Sequence, residues 1–390
     1  MPVELHGPMV VALITSRGMF HQIFAVRGRR RIKFHRTFKK GVIIMIRIDG
    51  SFGEGGGQML RSSLSLSLVT GMPVALEKIR AGRRKPGLMR QHMTAVRAAA
   101  EVGDAEVTGN DPGSQNLVFK PRKIKAGSYR FAVGTAGSCT LILQTILPAL
   151  IRAEGVSDVE IEGGTHNMMA PPFEFLQKTF LPLLEQISGA TISAELVRHG
   201  FYPAGGGLFK VRVAPAAAKP SKALKLLERG KVQKREGVAM VSKLSNDIAS
   251  RELKKLRSML EWEESELRLE RITTSPGPGN VVMASVSSEC GVMEIFSGFG
   301  RLGVSAEKVA EGVAREILAY MAADVPVGQH LADQLLLPMA LAGAGEFRTM
   351  PLTLHTETNL HVIGKFLPIG ADIVNEEDGT VKIKIKKVKS

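Results

Sequence analysis

Asp49-Gly50-Ser51-Phe52-Gly53-Glu54-Gly55-Gly56-Gly57-Gln58-Met59-Leu60-Arg61 follows a short strand, Ile46-Arg47-Ile48, and runs into a helix around Met59 to Leu68. A glycine-rich loop entering a helix lets backbone N–H groups approach and point at an anion. No GK[ST] follows and the Rossmann spacing is missing, so neither standard phosphate loop is present. A tight strand-to-helix turn is the plainer alternative at this point. The arrangement returns at Gly134-Thr135-Ala136-Gly137-Ser138, which opens a helix around Leu141 to Ile151, an interval of 81 residues from 53 to 134. The elements that follow keep the interval. A strand ending at Ile79-Arg80-Ala81-Gly82 precedes a helix from Leu88 to Ala100, and one ending at Ile161-Glu162-Gly163-Gly164 precedes a helix from Pro172 to Ile187, 82 residues on from 79 to 161. Each copy closes with two strands: Ala105 to Thr108 with Leu117 to Lys120, then Thr191 to Arg198 with Leu208 to Val213.

This is an internal repeat of pattern βαβαββ, and a third copy is expected directly after Val213. A small-residue linker, Ala214 to Pro220, comes there instead, followed by a charged segment of different texture. Val238 to Leu244, the helix through Leu260, Leu267 to Thr273 and Val281 to Ser287 read as a small inserted α/β domain over 221–290. The third copy then resumes over 291–390, with strand Val292 to Phe296, helix Ser305 to Ala322, a second helix opened by His330, and strands near Leu360 and Lys382. Units that cannot bury a sheet face alone pack helices inward and sheets outward. The expected class is therefore α/β (α+β), with repeats one and two over 45–220.

The charge balance is +15, with pI near 9.9, and favours a polyanionic partner. Residues 1–44 account for much of it: nine Lys/Arg against one Glu give +8 and leave +7 for the rest. That basic extension has no sustained period, which predicts a disordered segment or one upstream of a true start at Met45. Two cysteines without CxxC and no secretory leader point to a reducing cytoplasm. The longest apolar runs fall short of the roughly 20 residues that span a bilayer, so no membrane role is expected.

Two further stretches carry chemistry. Ile79-Arg80-Ala81-Gly82-Arg83-Arg84-Lys85-Pro86-Gly87-Leu88-Met89-Arg90-Gln91-His92 concentrates guanidinium groups, which fork onto phosphate oxygens, at a strand-to-helix junction; a solvated basic loop is the alternative. Gly328-Gln329-His330-Leu331-Ala332-Asp333 places a histidine in a helix's first turn, where the macrodipole disfavours imidazolium and favours a neutral, nucleophilic ring. A capping or core histidine is the ordinary alternative. Glu54 stands out as a carboxylate in an anion-binding loop, a placement that suits a metal bridging to phosphate. Gln144 lies in an apolar helix and needs a partner if buried. Thr165 to Phe173 is a proline-rich turn suited either to an apolar wall or to starting a helix.

Together, Asp49 to Arg61, Ile79 to His92, Gly134 to Gln144 and His330 to Leu341 resemble the RNA 3'-terminal phosphate cyclase family, from about Met45 to the C-terminus. The resemblance implies an ATP-using ligase that makes RNA 2',3'-cyclic phosphate ends with a divalent metal, Mg or Mn. It implies His330 as the nucleophile taking AMP, and Arg61, Arg80 and Arg83 as phosphate ligands. Gln91, His92, Gln144 and Pro171 then belong to the nucleotide pocket and Glu54 to the metal. RNA 3'-phosphate ends and ATP are the implied partners; oligomeric state stays open, a homodimer being one candidate. Two alternatives remain: a noncatalytic ribosomal-RNA processing protein of the same fold, and an enolpyruvyl transferase sharing only the repeats.

Overall fold

The computed structural model describes residues 9–15, 19–26, 29–36, 45–217, 220 and 222–388. Strands β1 (Met9–Thr15), β2 (Met19–Val26) and β3 (Arg29–Arg36) form an antiparallel meander. The first unit comprises β4 (Ile46–Asp49), α1 (Gly57–Thr70), β5 (Val74–Glu77), α2 (Arg90–Val102), β6 (Glu106–Thr108) and β7 (Leu117–Lys120). The second has β8 (Ser128–Ala132), α3 (Cys139–Leu150) and β9 (Ser157–Gly163), then a π-helical turn at Phe175–Phe180 that continues into α4 (Leu181–Ser188), and β10 (Thr191–Arg198) with β11 (Gly207–Ala214). A two-residue strand, β12 (Lys225–Leu226), leads to β13 (Val232–Ser242), α5 (Asn246–Leu260), β14 (Leu267–Arg271), β15 (Gly279–Ser288), β16 (Met293–Phe299) and α6 (Ala306–Ala323). The chain ends with α7 (Gln329–Ala342), β17 (Ala344–Thr349), α8 (Leu354–Phe366), β18 (Ile369–Asn375) and β19 (Val381–Lys387).

One pairing scheme recurs in three sheets. β4 runs parallel to β5, which pairs antiparallel with β7, and β7 with β6. β8, β9, β11 and β10 repeat that order, as do β12, β17, β19 and β18. Strand burial alternates, as in β8 and β11, so each of these sheets has one face toward the core. Helices fill the space between: α1 packs on α3 and α8, α2 on α3, and α7 on α4 and α8. Phe119, Phe209 and Phe347, one from each sheet, are fully buried in the common core.

The third unit differs from the sequence expectation in its boundaries. β16 pairs with β15 from Met293 to Phe299, and α6 packs on α5, β15 and β16. Both elements therefore belong to the small domain, which runs through Ala323 rather than stopping at 290. The physical reason is the stripe Ala310, Val313, Ala314, Ile317 and Tyr320, which shares a buried cluster with Leu256 and Trp262 rather than with the third sheet. Hence α7 is the first helix of the third unit, equivalent to α1 and α3, and not its second. Leu360, expected in a strand, lies in α8. The small sheet is buried on both faces: Val238, Met240 and Met283 join the common core, while the alternate residues Ala239, Val241, Val282 and Ala284 face α5 and α6.

The expectation of a disordered extension at 1–44 falls partly on residues outside those described; within it, β3 pairs antiparallel with β18 and so extends the third sheet. An edge strand offers unpaired N–H and C=O groups whatever its partner's side-chain period, which accounts for pairing that the sequence pattern did not signal. Among the described residues no helix is long and apolar enough to cross a membrane.

Phe347, on β17, is fully buried in the common core. Replacing it with alanine is expected to cost about 3–5 kcal/mol of stability in urea unfolding.

Candidate active site

The first helices of the first and third units begin without side-chain caps. Gly56 and Gly328 take the N-cap positions of α1 and α7 with extended backbone, and neither helix has an acid in its first turn. Their leading N–H groups are left for an anion. In α3, by contrast, Ser138 Oγ accepts from Leu141 N at 3.3 Å.

His330 stands in the first turn of α7 with 72% of its side chain exposed, Nε2 lying 3.9 Å from Glu316 Oε2. The Glu316 carboxylate raises its pKa above the usual histidine range against the effect of desolvation, and Glu294 and Asp333 add to the rise. The dipole argument predicted the opposite sign. A helix terminus contributes about 0.3–1 kcal/mol at an exposed position, and three nearby carboxylates outweigh it.

Asp333, one helical turn on, connects His330 to the first unit. Both of its carboxylate oxygens accept from Gln58 Nε2 at 2.8 Å. Gln58 Oε1 lies 2.8 Å from His355 Nδ1 of α8 and can only accept, so Nδ1 carries the proton. Burial raises the Asp333 pKa, while Gln58, His355, Arg61 and His330 pull it down. Burial likewise lowers that of His355, whose ring also feels Asp333, Arg61, Arg83 and His330. These mutual effects put His330, Asp333, His355, Arg61 and Arg83 in one electrostatic neighbourhood.

Arg61 and His92 lean over Gly57 at the start of α1: a Cβ there would meet His92 Nε2 at 2.6 Å and Arg61 Nη1 at 2.9 Å. Only glycine leaves this cradle open. Burial lowers Arg61 to about 10, partly offset by Asp333, so it stays cationic at neutral pH. His92 is pushed down to about 3 by burial and by the charges of Arg61 and Arg80. Its Nδ1 accepts from Met89 N at 3.1 Å, leaving Nε2–H as a donor on a neutral ring. Arg80 has φ of 54° and donates from Nη1 to Lys85 O at 2.7 Å and Gly87 O at 2.8 Å, bracing its own loop. Arg83 contacts Glu54 Oε1. Glu54 Oε2 is buried and has no hydrogen-bond partner among the described residues.

The remaining expected residues serve as joints in this structure. Gln91 Oε1 accepts from Ser138 N at 2.7 Å, tying α2 to the start of α3. Pro171 O accepts from Thr140 Oγ1 at 2.9 Å. Gln144 does have a polar partner: its Nε2 donates to Gln334 Oε1. Both glutamines are the sixth residues of their helices, α3 and α7, and Pro148 and Pro338 are both the tenth.

The model of the family described as RNA 3'-terminal phosphate cyclase matches residues 52–373. Two relatives named RNA 3'-terminal phosphate cyclase are similar over most of the chain. The one from Koribacter versatilis (strain Ellin345) is 50% identical over 334 residues, 86% of this chain and 93% of the relative. The one from Ralstonia nicotianae (strain ATCC BAA-1114 / GMI1000) is 49% identical over 336 residues, 86% and 95% of the two chains. The chain belongs to the RNA 3'-terminal phosphate cyclase family. It is an enzyme of that family rather than a scaffold identified by architecture alone. The enolpyruvyl transferase NikO from Streptomyces tendae aligns over 87% of this chain and 48% of its own at TM-score 0.32 and 11% identity, too remote to bear on function.

Beyond the residues expected from sequence, the candidate site brings in Gln58, Asp333, His355, Glu316 and Glu294. Asp333 had a usable signal, since it follows His330 by three positions and shares its helix face. Gln58 sat at the end of the glycine loop. Glu316, His355 and Glu294 come from elements remote in sequence and carried none.

Glu294, from β16, is buried and accepts from Gly328 N at 2.5 Å, so the small domain grips the start of α7. Burial raises its pKa from 4.5 to about 7, with Gly328 and His330 opposing. A carboxyl with a raised folded-state pKa binds its proton more tightly in the native chain, so stability falls as pH rises from about 4.5 to about 7. Glu294→Gln keeps an acceptor but loses the charge. Its stability relative to wild type should improve across that window by up to roughly 3 kcal/mol, read from denaturant unfolding at each pH; a difference independent of pH would show that Glu294 does not titrate there.

Proposed function

We propose that this chain converts an RNA 3'-terminal phosphate into a 2',3'-cyclic phosphate with ATP, through a covalent His330–AMP intermediate and an RNA adenylate, releasing pyrophosphate and AMP. The observation that carries the reading is an exposed histidine at an uncapped helix start, electrostatically linked through Asp333 and His355 to Arg61 and Arg83. Family membership sets the reaction class within which that histidine is read.

In this reading the α1 N-terminus with Arg61, Arg80 and Arg83 receives the ATP phosphates, and His92 donates Nε2–H to one of their oxygens. Gln91 and Pro171 line the nucleotide pocket at the α3 start that they brace, and Gln144 lines it from within α3, where it pairs with Gln334. A divalent metal, Mg2+ or Mn2+, fits beside Glu54, whose buried Oε2 is unpartnered among the described residues. Glu54 would hold it together with phosphate oxygens. Bound there, the ion supplies charge neutralisation at the pyrophosphate.

A deprotonated ring nitrogen of His330 attacks the α-phosphorus; the P–N bond forms and the bond to pyrophosphate breaks. A 3'-phosphate oxygen of the RNA then attacks the same phosphorus, breaking P–N and forming an anhydride. The neighbouring 2'-oxygen closes on the terminal phosphorus and expels AMP, with its proton passing to solvent; proximity makes this step effectively unimolecular. No base contact is required, so the RNA is recognised by its end. A cytoplasmic setting is part of this proposal.

Protein incubated with α-labelled ATP should retain label through denaturation in an acid-labile bond, and His330→Ala should retain none. RNA binding without any adduct in wild type would overturn the His330–AMP step.

The neutral ring is the nucleophile, so adduct formation should rise with pH through the raised His330 pKa. Glu316→Gln removes the largest cause of that rise and should move the midpoint of the rate profile to lower pH. An unmoved midpoint would place the controlling charge elsewhere.

A further inference from the structure

The turn after β9 and the end of β10 bring together three metal-ligating side chains that the proposed reaction does not use. His166, Glu174 and His199 each offer one ligand atom, and the three atoms lie within 4.8 Å of one another. We infer that His166, Glu174 and His199 form a binding site for a divalent transition-metal cation of the zinc class, separate from the nucleotide site.

Donor chemistry supports this: two imidazoles and one carboxylate make a set that suits zinc and leave a position for water or another ligand. His166 is buried and held from both sides, Nδ1 lying 2.8 Å from Thr165 Oγ1 and Nε2 2.7 Å from Glu174 Oε2. Thr165 Oγ1 itself accepts from Gly200 N at 2.9 Å, which anchors the hydroxyl next to the strand end that carries His199. With a cation on Nε2, Nδ1–H donates to Thr165 Oγ1, the outer-sphere contact that orients a ligating histidine. The His166 and His199 rings stack at 5.0 Å, and Phe201 tilts over His166 at 5.4 Å, so one wall is apolar.

The open side faces a cavity of about 420 Å³ between the second unit and the small domain. Glu174, His199 and Phe173 line one side of it, and Glu236, Met240 and Met283 the other. A cation here would fasten the turn that carries Pro171 to the end of β10, at the seam with the small domain.

The test uses the full chain, stripped with chelator and dialysed against Zn2+ without ATP. One zinc per chain is expected. His199→Ala and Glu174→Gln should each weaken binding at least tenfold, while Glu54→Gln should leave it unchanged, so the result stands apart from that of the labelling experiment. Co2+ in place of Zn2+ should give a visible absorption band in wild type that Glu174→Gln lacks; this variant retains an acceptor for His166 and guards against loss of the fold. Wild type that takes up no stoichiometric zinc, or variants that bind it as wild type does, would overturn the assignment.

Discussion

Two amide side chains hold α7, the helix that carries His330, to the other two units. Gln58 on α1 donates to Asp333, and Gln144 on α3 donates to Gln334, both acceptors on α7. Each contact joins residues far apart in sequence within a largely apolar helical interior, where an unpaired amide would cost about 1–3 kcal/mol. Polar pairing therefore sets the rotation of α7, and that rotation turns His330 outward rather than into the core. The matching positions of Gln144 and Gln334, and of Pro148 and Pro338, show α3 and α7 meeting as related copies of one helix.

Around that anchor the charges are arranged in opposition. Arg61 keeps its charge despite burial, His92 is held neutral by burial and by its cationic neighbours, and His330 is drawn upward by carboxylates. Two histidines of identical intrinsic chemistry are thus driven apart by what surrounds them. One stays a neutral hydrogen-bond donor; the other holds its proton more tightly than an ordinary histidine.

The small domain is more than an insertion tolerated on the surface. Its sheet lends one face to the common core and keeps the other for α5 and α6. Glu294, at its last strand, accepts the N–H of Gly328 at the N-cap of α7. Because the insertion sits between β12 and α7, the segment that carries His330 emerges directly from it, and the candidate site is completed by a domain that supplies none of Arg61, Arg80 and Arg83.

Much of this was legible in the chain by itself. The glycine loops and their regular interval determined the repeat, because turn chemistry and helix entry are local properties of a few residues. The basic stretch, the loop glutamate and the histidine at a helix start were legible for the same reason, and their combination pointed to the family. Tertiary structure alone decided that α6 and β16 belong to the small domain, since an apolar stripe does not state which sheet it will cover. It alone gave His330 its carboxylate neighbours, Glu316 and Glu294, and so reversed the sign expected from the helix dipole. Electrostatics and packing depend on residues brought together from distant parts of the chain, and only the folded molecule specifies those distances.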